Sequence, residues 1–321
     1  MNRLPSLFVF MILMSACTKT VVDVPLHEEE YPIVFDDIRT RSLTTVFNLR
    51  DFRVWGETVP GMADVFDGVT VTGMNPDEDG RMHSWTYDDP KYWMSGNVYE
   101  FYAVSPTSVD LTYASDDYSF EYSMPENISP DLASDEGHVD IVVAYEKRQT
   151  GVLSESPPDV RFEFGHALTK ININLFKPAA NSSHTMKVQN VYLWGFKGKG
   201  TYRFSTGWKC DDEVSAVSVT GLDLELPDNS KPVTVGGILA VPQKLAADQV
   251  YLIVEYTYTH GTSTSSNTLA TPLPVDIVSE WAAGNAVTYS AEISMEQDIK
   301  IDTPKVEPWG TEQVGGTIII R

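Results

Sequence analysis

Positive charge is scarce in this chain. Lysine and arginine number 23 against 45 aspartates and glutamates, a formal net charge of −22 over 321 residues. A field of that sign repels phosphate backbones and excludes nucleic acid as a partner. Cysteine is scarcer, with only Cys17 and Cys210. Past residue 16 no apolar run approaches the ~20 residues that span a bilayer. Helical periodicity is almost absent, and the short Leu245-Ala246-Ala247 stretch is the nearest thing to a turn of helix. Motifs of metal and catalytic chemistry are missing as well. The histidines (His27, His83, His138, His166, His184 and His260) are scattered, with no HExxH and no CxxC, so no metal site has recognisable spacing. The absence of a G-x-S-x-G elbow weakens a hydrolase reading.

What is present begins at the N-terminus. Arg3 precedes the apolar run Leu7–Met14, and the small pair Ser15-Ala16 stands immediately before Cys17. A positive start, a short apolar stretch and small residues before a cut make a secretory signal, too short to span a bilayer. Ending on small residues before Cys, it resembles a bacterial lipoprotein box, with Met14 where Leu is usual. In such signals the cysteine becomes the acylated first residue, so Cys17 is expected to carry the lipid. Cys210 is then left without an intramolecular partner, and the fold cannot rest on disulfides.

The body of the chain reads as strands. Val, Ile, Thr, Tyr and Phe dominate runs with period-2 alternation. Strands are expected at 52–57, 97–104, 138–145, 169–176, 186–196, 250–259, 286–293 and 316–321. "TKININLF" (169–176) is the cleanest, with Ile171, Ile173 and Leu175 on one face and Asn172 and Asn174 on the other. "KGKG" (197–200) reads as a hairpin turn. Many short strands with Gly, Pro and Asn breaks indicate an all-β sandwich.

The size suggests two domains, and the polar stretch 146–160 with Pro157-Pro158 is the natural boundary. The expected organisation is a signal peptide at 1–16, a linker at 17–30 containing the "EEE" run, an N-terminal β-sandwich at 31–157 and a C-terminal one at 158–321. "WMSGNVYEFYA" (93–103) and "WAAGNAVTYSA" (281–291) share Trp, Gly, Asn and Ala at matched spacing, which supports two related sandwiches.

Other candidates for chemistry have simpler explanations. "NPDEDG" (75–80) resembles the start of a calcium loop, yet position twelve is Thr86 instead of Glu, so a surface turn is favoured. "GFKGKG" lacks the Lys-Ser/Thr ending of a phosphate loop. The carboxylates are numerous enough to supply a glycosidase pair by chance, but solvation is the better account. Trp, Tyr and Phe could line a glycan platform, although most occupy alternating strand positions where core packing is the default.

Several motifs in order resemble one family. They are the lipobox at Cys17, "IVFDDIRTRS" (33–42), "WMSGNVYEFYAVSP" (93–106), "DIVVAY" (140–145) and "VRFEFGHALTKININL" (160–175). "GTYRFSTGWK" (200–209), "LAVPQ" (239–243), "WAAGNAVTYSAEI" (281–293) and "VEPWGT" (306–311) follow. Together they resemble the fimbrillin-like proteins of Bacteroides-type bacteria, relatives of the major pilins of those organisms.

The resemblance implies two tandem transthyretin-like Greek-key β-sandwich domains and no enzymatic activity, hence no catalytic residue, cofactor or metal. It implies a fimbrial subunit, accessory or anchor component that serves adhesion, reaches the outer membrane as a lipoprotein through acylated Cys17, and has other fimbrial subunits as partners. In stalk subunits of the family an arginine-specific cut removes the lipid together with the first strand, opening a groove for a neighbour's strand. Here that strand is Ile33, Val34 and Phe35. The best cut is Arg41-Ser42, with Arg39, Arg50 and Arg53 as competitors. Alternatively these arginines are surface charges and Cys17 keeps the protein anchored. "GGTIIIR" at the C-terminus places Ile318, Ile319 and Ile320 in a row. Consecutive apolar residues there need cover, either from the chain's own second domain or in a neighbour's groove. The rival reading is a non-polymerising surface lipoprotein that binds glycans or other host or bacterial surface ligands.

Overall fold

The computed structural model describes residues 31–36, 38–40, 49–59, 64–78, 81–128, 139–151, 157, 159–179, 184–227, 231–294 and 298–309. Among them every regular element is a strand, and no helix is long and apolar enough to cross a membrane. Up to residue 149 the strands are β1 (Arg39–Thr40), β2 (Asp51–Val59), β3 (Asp64–Met74), β4 (Ser84–Thr86), β5 (Val98–Ser105), β6 (Thr112–Tyr113), β7 (Tyr118–Ser123), β8 (Asn127–Ile128) and β9 (Val142–Gln149). Next come β10 (Glu163–His166), β11 (Thr169–Phe176), β12 (Thr185–Lys197), β13 (Lys199–Arg203), β14 (Gly207–Cys210), β15 (Val214–Val219), β16 (Leu224–Glu225) and β17 (Val233–Ala240). The last are β18 (Gln243–Lys244), β19 (Tyr251–His260), β20 (Ser263–Pro272), β21 (Glu280–Trp281), β22 (Asn285–Ile293), β23 (Ile299–Ile301) and β24 (Lys305–Pro308).

Strand β11 occupies the expected 169–176 because its alternation is strict: Ile171, Ile173 and Leu175 are all buried in the core. Strand β9 begins four residues later than expected and runs on through Glu146, Lys147 and Arg148. Glu146 and Arg148 share one face, where Arg148 Nε lies 3.1 Å from Glu146, and Lys147 on the other face pairs with Glu100. Polarity, read as the end of a strand, here continues it, with paired charges on both faces. The Leu245–Ala247 stretch is not helical and leads through a turn to β19.

The first sheet has the order β1-β10-β9-β5-β2-β3-β4. One face carries Phe52, Val54, Phe66, Phe101 and Phe164 in a buried aromatic cluster, and the other carries Trp55, Tyr102 and Val104. A sheet ordered β17-β11-β22-β23 and another ordered β20-β19-β12-β15-β8 enclose the largest core, which includes Leu193, Val254 and Tyr289. A small sheet, β14-β13-β7-β6, joins strands from both halves of the sequence. Val160, Phe162 and Phe164 lie C-terminal to residue 157 and pack in the aromatic cluster of the first sheet.

"KGKG" is not a hairpin turn. The chain leaves β12 at Lys197 and enters β13, which pairs with β7 and β14 instead of β12. Its glycines serve close approach: a Cβ on Gly198 would lie 2.6 Å from the Ser215 side chain, and one on Gly200 would lie 2.8 Å from Lys209 O. The hairpin comes one strand later, between β13 and β14.

The two tryptophan-glycine stretches form matching clasps. Thr150 Oγ1 donates to Met94 O at 2.7 Å, and Thr169 Oγ1 donates to Ala282 O at 2.8 Å, each to the residue after the tryptophan. Gly96 and Gly284, with φ of 78° and 74°, donate their N–H groups to Gly151 O and Leu168 O. The acceptor follows the threonine in the first clasp and precedes it in the second. That reversal arises because β5 pairs antiparallel with β9 whereas β22 runs parallel to β11.

Candidate functional site

The segment "YPIVFD" (31–36) has the alternation of a half-buried strand, and the structure uses it so. Ile33 and Phe35 are 1% and 2% exposed, while Val34 between them is 39% exposed. On one side the segment meets residues 91–93, where Ile33 N–H donates to Lys91 O at 2.7 Å and Trp93 N–H to Tyr31 O at 2.9 Å. On the other side Asp36 N–H donates to Val160 O and Val160 N–H donates to Val34 O. The same parallel course continues in β1, where Arg39 and Thr40 pair with Glu163 and Phe164. Tyr87 OH donates to Ile33 O at 2.7 Å, and burial pushes its phenol pKa up.

Phe35 is the hub of the aromatic cluster. Its ring lies 5.5 to 5.9 Å from those of Phe52, Phe66, Tyr87 and Phe162, edge-on to the first three and stacked on the fourth. Phe101 lies 6.4 Å away. Burial of Ile33 and Phe35 is worth roughly 1.5–3 kcal/mol each. Taking the segment away would leave a groove between residues 91–93 and 160–164, floored by rings and edged by unpaired backbone groups. Such an edge is a template for another strand.

The candidate cut sites differ in exposure. The Arg39–Thr40 peptide is within β1. Arg53 lies in β2, where its Nε donates to Gly68 O, Nη1 pairs with Asp110 at 3.0 Å, and the guanidinium sits 4.7 Å above the Trp55 ring. Arg50 is exposed ahead of β2, and Lys147 and Arg148 lie in β9, paired with β5. Cys17, Arg41, Ser42, Ile318, Ile319 and Ile320 lie outside the described residues. Sequence reading identified the strand but missed its flanks, Tyr87, Lys91, Val160 and Phe162. The alternation in "VRFEF" was the available signal for the last two.

Elsewhere, Asp77 of "NPDEDG" is taken up by the turn between β3 and β4, accepting from Arg81 N–H at 2.8 Å. Among the described residues the most exposed aromatics are Trp194 at 49%, Tyr145 at 47%, Tyr92 at 42% and Tyr113 at 38%. A cleft of about 530 Å³ is lined by Tyr145, Glu146, Phe204 and the stacked pair His166 and Trp309. Nearby, Glu57 is buried, and desolvation with the Glu100, Asp64 and Asp116 charges raises its pKa. Glu100 is pushed up by desolvation too, but hydrogen bonds from Lys147 and Tyr102 hold it below the usual range.

A sequence model described as fimbrillin-like matches residues 46–309. No curated protein sequence matches. A fimbrial protein from Bacteroides vulgatus has a similar structure, with a TM-score of 0.64 at 16% identity, covering 87% of this chain and 99% of its own. A candidate cell adhesion protein from Bacteroides uniformis gives 0.53 at 16%, covering 88% and 99%. Another, from Parabacteroides distasonis, gives 0.54 at 12%, covering 88% and 98%. At these identities the likeness establishes the fold.

Proposed function

The chain belongs to the fimbrillin-like family, and from that premise we propose that it is a fimbrial subunit or fimbria-associated component at the cell surface, serving adhesion. The observation that carries this reading is the segment 31–40. Within it Ile33 and Phe35 are buried, backbone partners border residues 31–36 on both sides, and Arg41-Ser42 follows in the sequence.

In this reading acylated Cys17 holds the precursor in the outer membrane, and an arginine-specific protease cuts the Arg41–Ser42 bond. Lipid and strand leave together. The groove then accepts a strand from a neighbouring subunit, which restores the backbone pairing and covers the rings. A donor needs large apolar residues two apart. Ile318 and Ile320 have the spacing of Ile33 and Phe35, so the C-terminal tail of another subunit is a suitable donor. The rival role for the tail is closure of its own second sandwich.

The N-terminal residue of protein shed from cells tests the processing. Ser42 is expected, and Arg41→Ala should abolish shedding. Material that begins only at acyl-Cys17 would overturn the cut and leave the anchored form. Trp194, half exposed beside Tyr251 at 6.1 Å, favours the second reading, a non-polymerising lipoprotein that holds glycans on exposed rings. Retention on polysaccharide gels that is lost in Trp194→Ala would support it.

A further inference from the structure

One long sheet edge is left bare. Strand β20 ends the order β20-β19-β12-β15-β8 and is 10 residues long. Among the described residues the other strands at sheet edges have four residues or fewer, apart from the eight of β17, whose ladder with β11 shifts register. The ladder of β20 with β19 runs through ten successive pairs without a shift. Strand β23 of the facing sheet comes close but forms no ladder with β20. Natural sheets blunt a long edge with charge, an interior proline, a bulge or a covering element. Here residues 263–271 hold no charge and no proline, and Pro272 comes only at the end. Residues 256–275 are the longest stretch of the chain without Asp, Glu, Lys or Arg. The turn fixes which backbone groups are open. Gly261, with φ of 60°, and Thr262 join the two strands, so His260 and Ser263 form a hydrogen-bonded pair and bonding to β19 recurs at every second residue. Thr264, Ser266, Thr268 and Ala270 therefore aim their N–H and C=O groups away from β19. All four are exposed, and none of those groups has a partner among the described residues.

We propose that β20 is a self-association edge, where a second copy of this chain adds its own β20 antiparallel across a two-fold axis. The open groups set the register. Thr264 stands opposite Ala270 of the second copy and Ser266 opposite its Thr268, while Asn267 faces its own counterpart on the axis. Charge selects a second copy as the occupant. Two bodies of net charge −22 repel each other over most of their surface, and the uncharged stretch lets them meet with no like charges opposed. The small side chains at the open positions let the backbones approach, and Ser–Thr pairs across the ladder are favourable. The contact joins subunits side by side and needs neither the cut at Arg41 nor the groove around Phe35. On the fimbrial reading it gathers neighbouring fibres laterally.

Disulfide trapping in the uncut full chain tests the edge. Asn267→Cys is expected to give a covalent dimer on mild oxidation, because residues opposed at a non-hydrogen-bonded position lie about 4.5 Å apart, within disulfide reach. Ser263→Cys faces Thr271 of the second copy instead and should give at least about 10-fold less dimer. The parent, which keeps Cys210, sets the background. Adding Thr268→Lys to Asn267→Cys charges the edge and should lower the yield at least about 10-fold. Raising NaCl from about 50 mM to about 500 mM should increase the yield, since salt screens the repulsion between copies and no ion pair holds the contact. Circular dichroism matching the parent's checks that each variant is folded. No dimer from Asn267→Cys, equal yields from the two cysteine positions, or a yield unmoved by Thr268→Lys overturns the proposal. Each result is read before any cut at Arg41, so strand exchange stands or falls on its own test.

Discussion

Replacing Phe35 by alanine is expected to lower folding stability by about 3–5 kcal/mol, the range for a fully buried phenylalanine whose loss leaves a cavity. The neighbouring Val34→Ala should change it by less than about 1 kcal/mol, because that side chain is 39% exposed. Two adjacent residues in one short segment thus differ several-fold. Phe35 touches rings from β2, β3, β5 and the stretch before β10, and no single neighbour can move to fill the space it leaves. Urea unfolding midpoints of the two variants measure the contrast. A Phe35→Ala midpoint within about 1 kcal/mol of the parent would mean that the segment is not part of the core. The same magnitude bears on function. In the proposed strand exchange, a groove emptied of Phe35 would expose that deficit to water, and a donated strand with a large apolar side chain at the same point would recover it.

Gly195→Ala is expected to be at least as damaging, above about 3 kcal/mol or enough to prevent soluble expression. Gly195 has φ 101°, and a Cβ there would lie 1.9 Å from the backbone oxygen of Gln249, which no side-chain movement can relieve. The register shifts at this point between Trp194 and Phe196. This bulge turns Phe196 into the core against Trp281 while Trp194 remains outside. Gly96→Ala is the matched comparison, since Gly96 also has positive φ but its Cβ would meet open space. It should cost about 1–2 kcal/mol. Equal midpoints for the two variants would contradict the close approach at Gly195.

Strands that alternate cleanly were legible in the sequence. "TKININLF" declared its faces, whereas the strand Ile33–Phe35 was named through the family resemblance, and its buried–exposed–buried alternation emerged from the structure. What alternation does not carry is the identity of the neighbour. Nothing local to "KGKG" says that β13 leaves β12 to join β7, or that β22 lies parallel to β11. The groove shows the same limit. Phe52, Phe66, Tyr87, Phe101 and Phe162 each read as an ordinary strand aromatic, and only the sheet order β10-β9-β5-β2-β3 brings them around Phe35.

We propose that Tyr31–Asp36, continued by β1, fills a groove that another strand can occupy. This is tested most directly by cutting the folded protein after Arg41, removing the N-terminal fragment, and following the product by native mass spectrometry. A ladder of oligomers should form. A synthetic peptide spanning Tyr31–Arg41, added in excess before the ladder develops, should trap a one-to-one complex instead. A cut protein that stays folded and monomeric and takes up no peptide would contradict the account.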